Sequence, residues 1–217
     1  MGSTDTMKLM GDAFVELAEQ RPLEKISVSD IVAASGKNRK TFYYHFEGKS
    51  HLIRWVFRSD LAHMLQNRFE GARLVYEEDR EGPMAELPYY AFKKVGIRSL
   101  DGSDFLRTLS DTFQNRRSYY AKALRSDEPD GLRAYLHELY TPALANDIRF
   151  ILSNRSLDEA NVRFLAEFYT GALVTYMTNR LNDPSVQDVF SDIEPFENII
   201  HDSIEHEIKE QQFKRVL

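Results

Sequence analysis

Residues 26–53 read ISVSDIVAASGKNRKTFYYHFEGKSHLI, and the way this stretch divides decides the fold. Ser27-Val28-Ser29-Asp30 has the form of a capping box. The Ser27 hydroxyl is available to a free amide three residues on, and the Asp30 carboxylate can reach back and favour the positive helix end. A short helix is therefore expected from Val28 to Ser35, burying Val28, Ile31 and Val32. Gly36 falls where a helix C-terminus turns through positive φ. Asn38 is placed to cap a third short helix, in which Phe42 and Phe46, four residues apart, share one buried face. Asn38, Arg39, Lys40, Thr41, Tyr43, Tyr44 and His45 must then point mostly outward.

On the N-terminal side, Met10, Phe14, Leu17 and Ala18 recur with helical spacing between Thr6 and Gln20, with Asp12, Glu16 and Glu19 opposite them and Pro22 closing the segment. On the C-terminal side, Leu52, Ile53, Val56, Phe57, Leu61, Met64, Leu65 and Phe69 describe a fourth helix of about 20 residues, long enough to leave the first bundle and join a second body. Beyond residue 70 the pattern is helices separated by breakers at Gly82-Pro83, Pro88, Asp101-Gly102, Pro129-Asp130-Gly131, Asn182-Asp183-Pro184 and Pro195, and no strand-like alternation competes. Between Phe164 and Leu181 apolar side chains come in adjacent pairs every four residues, a stripe too broad for an ordinary surface helix. It is either central or half covered by something outside the chain. A last segment carries Ile193, Phe196, Ile199, Ile200, Ile204 and Ile208. The expected fold is all-α: a three-helix helix-turn-helix domain over residues 1–50 and a larger helical domain over 51–217.

Composition narrows the function. With 217 residues, 42% hydrophobic and 29% charged, the chain has the balance of a folded, water-soluble protein. No apolar run is long enough to span a bilayer, and no secretory signal opens the chain, so a cytoplasmic location and no membrane partner are expected. Zero cysteines remove disulfides, thiolate metal sites and cysteine nucleophiles. The net charge of −6 opposes general coating of nucleic acid, but it conceals an asymmetry. Residues 1–60 hold nine basic against eight acidic side chains, and the remaining 157 hold the other 19 basic and 26 acidic ones. Within the first part, Lys37, Arg39, Lys40 and Lys49 face the single Glu47 over residues 37–49.

Two short helices joined by a glycine turn make the motif that enters the DNA major groove. The outward residues of the second helix are donors for phosphates and base edges, with two phenols that can hydrogen-bond a backbone oxygen or pack on a thymine methyl. A merely solvated helix explains them less well, because exposed aromatic area costs about 25 cal/mol per Å². The same stretch closely resembles the N-terminal domain of the TetR family of bacterial transcriptional regulators. Ile26, Ser27, Asp30, Ile31, Val32, Ala33, Gly36, Thr41, Phe42, Tyr43, Tyr44, His45, Phe46, Lys49 and Leu52 occupy matching places. Lys37-Asn38-Arg39-Lys40 departs from the family, many of whose members have a small or apolar residue and serines there.

The resemblance implies an all-helical homodimer that binds double-stranded DNA through its N-terminal helices and a small-molecule effector through its larger part. Carried over by position, Tyr43, Tyr44, His45 and Lys49 contact phosphates, Ser27 or Ser29 anchors the backbone, and Arg39, Lys40 and Thr41 face the groove, beside Lys37 and Asn38. The FYTGALVTYM segment (168–177) is similar to the helix preceding the dimer-forming end of several members. It gives Leu165, Phe168, Ala172, Tyr176, Ile199, Ile200 and Ile204 as candidate dimer positions. Phe113, Tyr120, Tyr140 and Phe168 are candidate effector contacts, drawn from a run of aromatic residues that are mostly core. The expected activity is a ligand-responsive repressor on a palindromic operator.

An enzyme is disfavoured. His137-Glu138 and His201 with Glu205-His206 lack the spacing of a relay or metal site, and no phosphate loop, His-Glu-x-x-His or Gly-x-Ser-x-Gly motif occurs. No catalytic residue, metal or cofactor is expected. The N-terminal match of residues 1–6 to the myristoylation pattern is read as coincidence or a cloning remnant. The alternative is a TetR-like coregulator that acts through a protein partner without operator binding, against which the intact Lys-Thr-Phe-Tyr-Tyr-His-Phe surface argues.

Overall fold

The computed structural model describes residues 2–77, 82–94, 100–126, 128–152, 157–191, 199 and 202–210. Helix α1 (Ser3–Gln20) starts three residues before the apolar periodicity and ends where Arg21 turns extended ahead of Pro22. Met7, Met10, Phe14 and Ala18 form its fully buried edge. A single 3-10 turn (Leu23–Lys25) leads to α2 (Val28–Ala34), and α3 (Arg39–His45) follows. Helix α4 (Lys49–Arg68) packs on α1. The approach is close: a Cβ on Gly11 would stand 3.1 Å from both the Trp55 ring and a Val56 methyl, which would have to yield by a few tenths of an ångström.

The fold is all-α as expected, with two short strand pairs in the segment after α4. Residues Leu74–Val75 (β1) pair antiparallel with Tyr90–Ala91 (β2), and Lys93–Lys94 (β3) with Leu100–Asp101 (β4). Two-residue strands carry no alternation that a sequence pattern could reveal. Helices resume with α5 (Ser103–Asn115), α6 (Arg117–Arg125), α7 (Leu132–Leu152) and α8 (Glu159–Asn182), and residues 202–210 are helical. The breakers at 101–102, 129–131 and 182–184 mark real ends. Pro195, Ile193 and Phe196 lie outside the described residues.

One hydrophobic cluster runs from Met7 on α1 through α4 and α5 to Leu139 and Tyr140 on α7 and Phe190 beyond α8. The N-terminal bundle and the larger body thus share a core, with α4 as the common wall, and the expected division at residue 50 falls at the start of that helix. A second cluster joins Ile148 and Leu152 of α7 with Val162, Leu165 and Tyr169 of α8 and with Ile204 and Ile208.

Candidate nucleic-acid interface

The presentation of α3 is set by the N-terminal caps of α2 and α3. Ser27 Oγ accepts from the Asp30 amide at 3.2 Å, and the Ser27 amide donates to Asp30 Oδ2 at 2.8 Å, closing the box at the start of α2. The Ser27 bonds, helped by Arg21 at 3.3 Å, hold the Asp30 carboxyl below the usual carboxylate range. Gly36 turns the chain at φ +65°, and Asn38 Oδ1 accepts from the Thr41 amide at 2.9 Å to start α3. Phe42 and Phe46, rings 5.5 Å apart, are sealed inside; Phe46 also packs on Trp55 of α4. Helix α3 is therefore bolted to the bundle along one side.

The other side is open. Tyr44, two residues from Phe42 on the opposite side of the helix, is 81% exposed and Tyr43 52%. Asn38, Arg39 and Lys40 are exposed, with Lys37 and Thr41 half-buried at the edge. Ser27 and Ser29 are exposed at the start of α2. His45 is tied to α1 by a 3.4 Å contact between its Nδ1 and Ser3 Oγ, and partial burial lowers its pKa, leaving the ring neutral at pH 7. Lys49 behaves differently from its neighbours: its ammonium donates inward to the Leu23 carbonyl at 2.9 Å and the Ile26 carbonyl at 3.5 Å. It braces the loop before α2.

The structure distributes the remaining candidates among three settings. Phe113 and Tyr120 are fully buried, Phe113 stacked on Phe57 at 5.7 Å and set edge-on to Tyr120. Tyr140 is buried in another aromatic group and donates to the Tyr89 carbonyl at 3.1 Å. Phe168, by contrast, is 58% exposed, its ring stacked on Phe164 at 6.0 Å. Ala172 and Ile199 are also exposed, and Tyr176 lies half-buried under the Arg180 guanidinium. Leu165 and Ile204 point into the second cluster of their own chain. Adjacent residues on a helix diverge by about 100°, so one member of each pair on α8 turns inward and the other outward. Ile200 lies outside the described residues.

Two arginines went unremarked in the sequence. Arg58, fully buried on α4, donates to Glu77 Oε2 at 2.6 Å, Tyr135 Oη at 2.9 Å, the Met84 carbonyl at 3.1 Å and the Leu87 carbonyl. Its position between Trp55 and Leu61 on the apolar stripe was the available signal. Arg116, between α5 and α6, reaches Asp12 on α1 at 2.8 Å and Asp60 on α4 at 3.5 Å. Asp60 in turn accepts from Tyr120 Oη at 2.6 Å, while burial raises its pKa. No local pattern marks Arg116, because its partners lie 104 and 56 residues away.

Comparison with known proteins agrees with this geometry. The model of the bacterial regulatory proteins of the tetR family matches residues 12–56, and a transcriptional regulator C-terminal region model matches residues 102–202; together they cover more than half of the chain. The chain belongs to the TetR family. It is 34% identical over 62 residues to the HTH-type dhaKLM operon transcriptional activator DhaS of Lactococcus lactis subsp. lactis (strain IL1403). That match takes in 29% of this chain and 33% of the relative's length. A solved structure of the dihydroxyacetone kinase operon activator DhaS superposes with a TM-score of 0.54 at 16% identity, covering 92% of this chain and 96% of that one. The latter likeness is one of fold. As a TetR-family transcriptional regulator the chain is not an enzyme. No helix among the described residues is long and apolar enough to cross a membrane, and no metal-binding cluster occurs among them.

Proposed function

We propose that the chain is a ligand-responsive regulator that binds a palindromic operator as a homodimer, with α3 in the major groove. The observation that carries this is the two-sided character of α3. Phe42 and Phe46 are immobilised while Arg39, Lys40, Tyr43 and Tyr44 stand free in water. Exposing two adjacent tyrosines on a rigid helix is costly without a partner, and DNA supplies one, through phosphate oxygens and thymine methyls. Arg39, Lys40 and Thr41, at the N-terminal end of α3, are the base-reading candidates, as expected for this motif. Ser27, Ser29 and neutral His45 offer neutral donors to the backbone, and Lys49 holds the loop from which α2 springs.

The exposed Phe164, Phe168, Ala172 and Ile199 support dimerisation through α8 and the following segment, since a paired aromatic face in water is what an interface removes. The dimer sets the separation of the two α3 helices, which must match groove repeats about 34 Å apart. An effector in the aromatic interior of the larger body acts by preferring one separation over another, and only by its differential affinity. Shared core packing across α4 gives that preference a route to α1 and α3. Repression is the proposed sign of regulation. The named relatives are activators, so a reporter fused to the upstream promoter is the discriminating experiment: deletion of the chain raises expression under repression and lowers it under activation. Retardation of that promoter fragment tests operator binding itself. Purified protein that leaves the fragment unshifted at low salt would favour the coregulator reading.

A further inference from the structure

A cleft of about 550 Å³ lies where the two bodies meet, between the C-terminal end of α1 with the turn after it and the C-terminal end of α6 with the start of α7. Its size is that of a small-molecule site. Leu23, Ile53 and Leu132 give it an apolar floor, all three nearly inaccessible. Arg21, Lys49, Lys122 and Arg125 line it against only Glu24 and Glu128, two cations in excess, in a chain whose net charge is −6. Arg21 is paired with Asp30. The other three are held by uncharged groups: Lys49 by the Leu23 and Ile26 carbonyls, Lys122 by the Ala18 carbonyl and Arg125 by the Asn182 side chain. No ion pair forms at any of these three among the described residues. Carbonyl and amide oxygens orient a cation without cancelling its charge, so these three cations outnumber the two carboxylates of the lining.

We propose that this cleft is a binding site for a small organic dianion, such as a phosphate ester or a dicarboxylate, lying over the apolar floor with its charges toward Lys122, Arg125 and Lys49. The walls belong to different bodies: α1 and its turn on one side, α6 and α7 on the other. An occupant therefore senses the angle between them and favours the angle that lets both walls reach it. This regulatory consequence rests on the DNA-binding reading above; the site itself does not. It lies apart from Phe113, Tyr120, Tyr140 and Phe168, none of which lines the cleft.

Titration calorimetry tests the site, using pyrophosphate and succinate as separate probes at constant ionic strength. The protein carries Arg39→Gln/Lys40→Gln so that the DNA surface does not compete. Saturable binding of one equivalent of either probe is expected, and the probe that binds identifies the anionic group. Adding Lys122→Gln/Arg125→Gln should weaken it at least tenfold, Lys122→Arg/Arg125→Lys should retain it, and Arg163→Gln/Lys209→Gln, remote surface changes, should leave it within twofold. Absence of saturable binding by both probes, or equal affinity after Lys122→Gln/Arg125→Gln in a protein with an unaltered circular-dichroism melt, would overturn the site. Promoter-fragment binding by Lys122→Gln/Arg125→Gln in the otherwise native chain separates the two readings: if neither it nor the native chain binds DNA while the dianion still binds, the operator reading fails and the site stands.

Discussion

Gly36 is the residue on which the turn of the motif depends. Its φ of +65° is a left-handed conformation, and no atom would crowd an added Cβ. Gly36→Ala should therefore cost only the backbone penalty, about 1–2 kcal/mol, read as a lower denaturation midpoint with an unchanged slope. Asp147 gives a pH signature. Burial pushes its carboxyl up to about 6, and Tyr90 Oη donates to it. The folded chain then holds this proton where the unfolded chain has lost it. The stabilising contribution is complete below the unfolded value near 4 and disappears as pH rises through about 6. Asp147→Asn should be more stable than the native chain at pH 7.5 by about 2 kcal/mol, a gap that closes toward pH 4. Equal stability at both pH values would contradict the burial argument.

At the scale of elements, α2 and α3 were legible in the sequence because their determinants are local. The Ser27–Asp30 box, the Gly36 turn, the Asn38 cap and the Phe42/Phe46 pair all act within four residues. The reach of Lys49 back to Leu23 and Ile26, the bonds of Arg58 to Glu77, Met84 and Leu87 and the bridge of Arg116 from α5–α6 to α1 and α4 were illegible, because they depend on how distant segments meet. The α8 stripe was half legible: its breadth was visible, but which member of each pair faces outward is set by packing against α7 and residues 202–210. Ser27→Ala should remove the cap of α2 at a cost near 1 kcal/mol and weaken DNA binding further than stability, since it also misaligns α3. Circular-dichroism melts and fluorescence anisotropy on the same variant separate the two effects.

For the whole molecule, charge and symmetry dominate. Around α3, Arg39 and Lys40 are exposed and Lys37 is half-buried at the edge, with Lys49 turned to its carbonyls. Three per chain, doubled in a dimer, give a slope of log affinity against log salt near −5, approaching −7 where Lys49 swings out to a phosphate. Phe168→Glu should convert a dimer to monomers in sedimentation, placing a charge on the exposed Phe164/Phe168 face without disturbing the core, and should reduce operator affinity by well over tenfold. A variant that remains dimeric would show that another surface pairs the chains. The central claim is that the open side of α3 reads duplex DNA, and its most direct test is fluorescence anisotropy on labelled DNA from the chain's own upstream region, comparing the native protein with Lys40→Ala/Tyr44→Ala. The account predicts nanomolar, salt-dependent binding by the native chain and at least a hundredfold loss in the variant at unchanged melting temperature; equal binding by both proteins would contradict it.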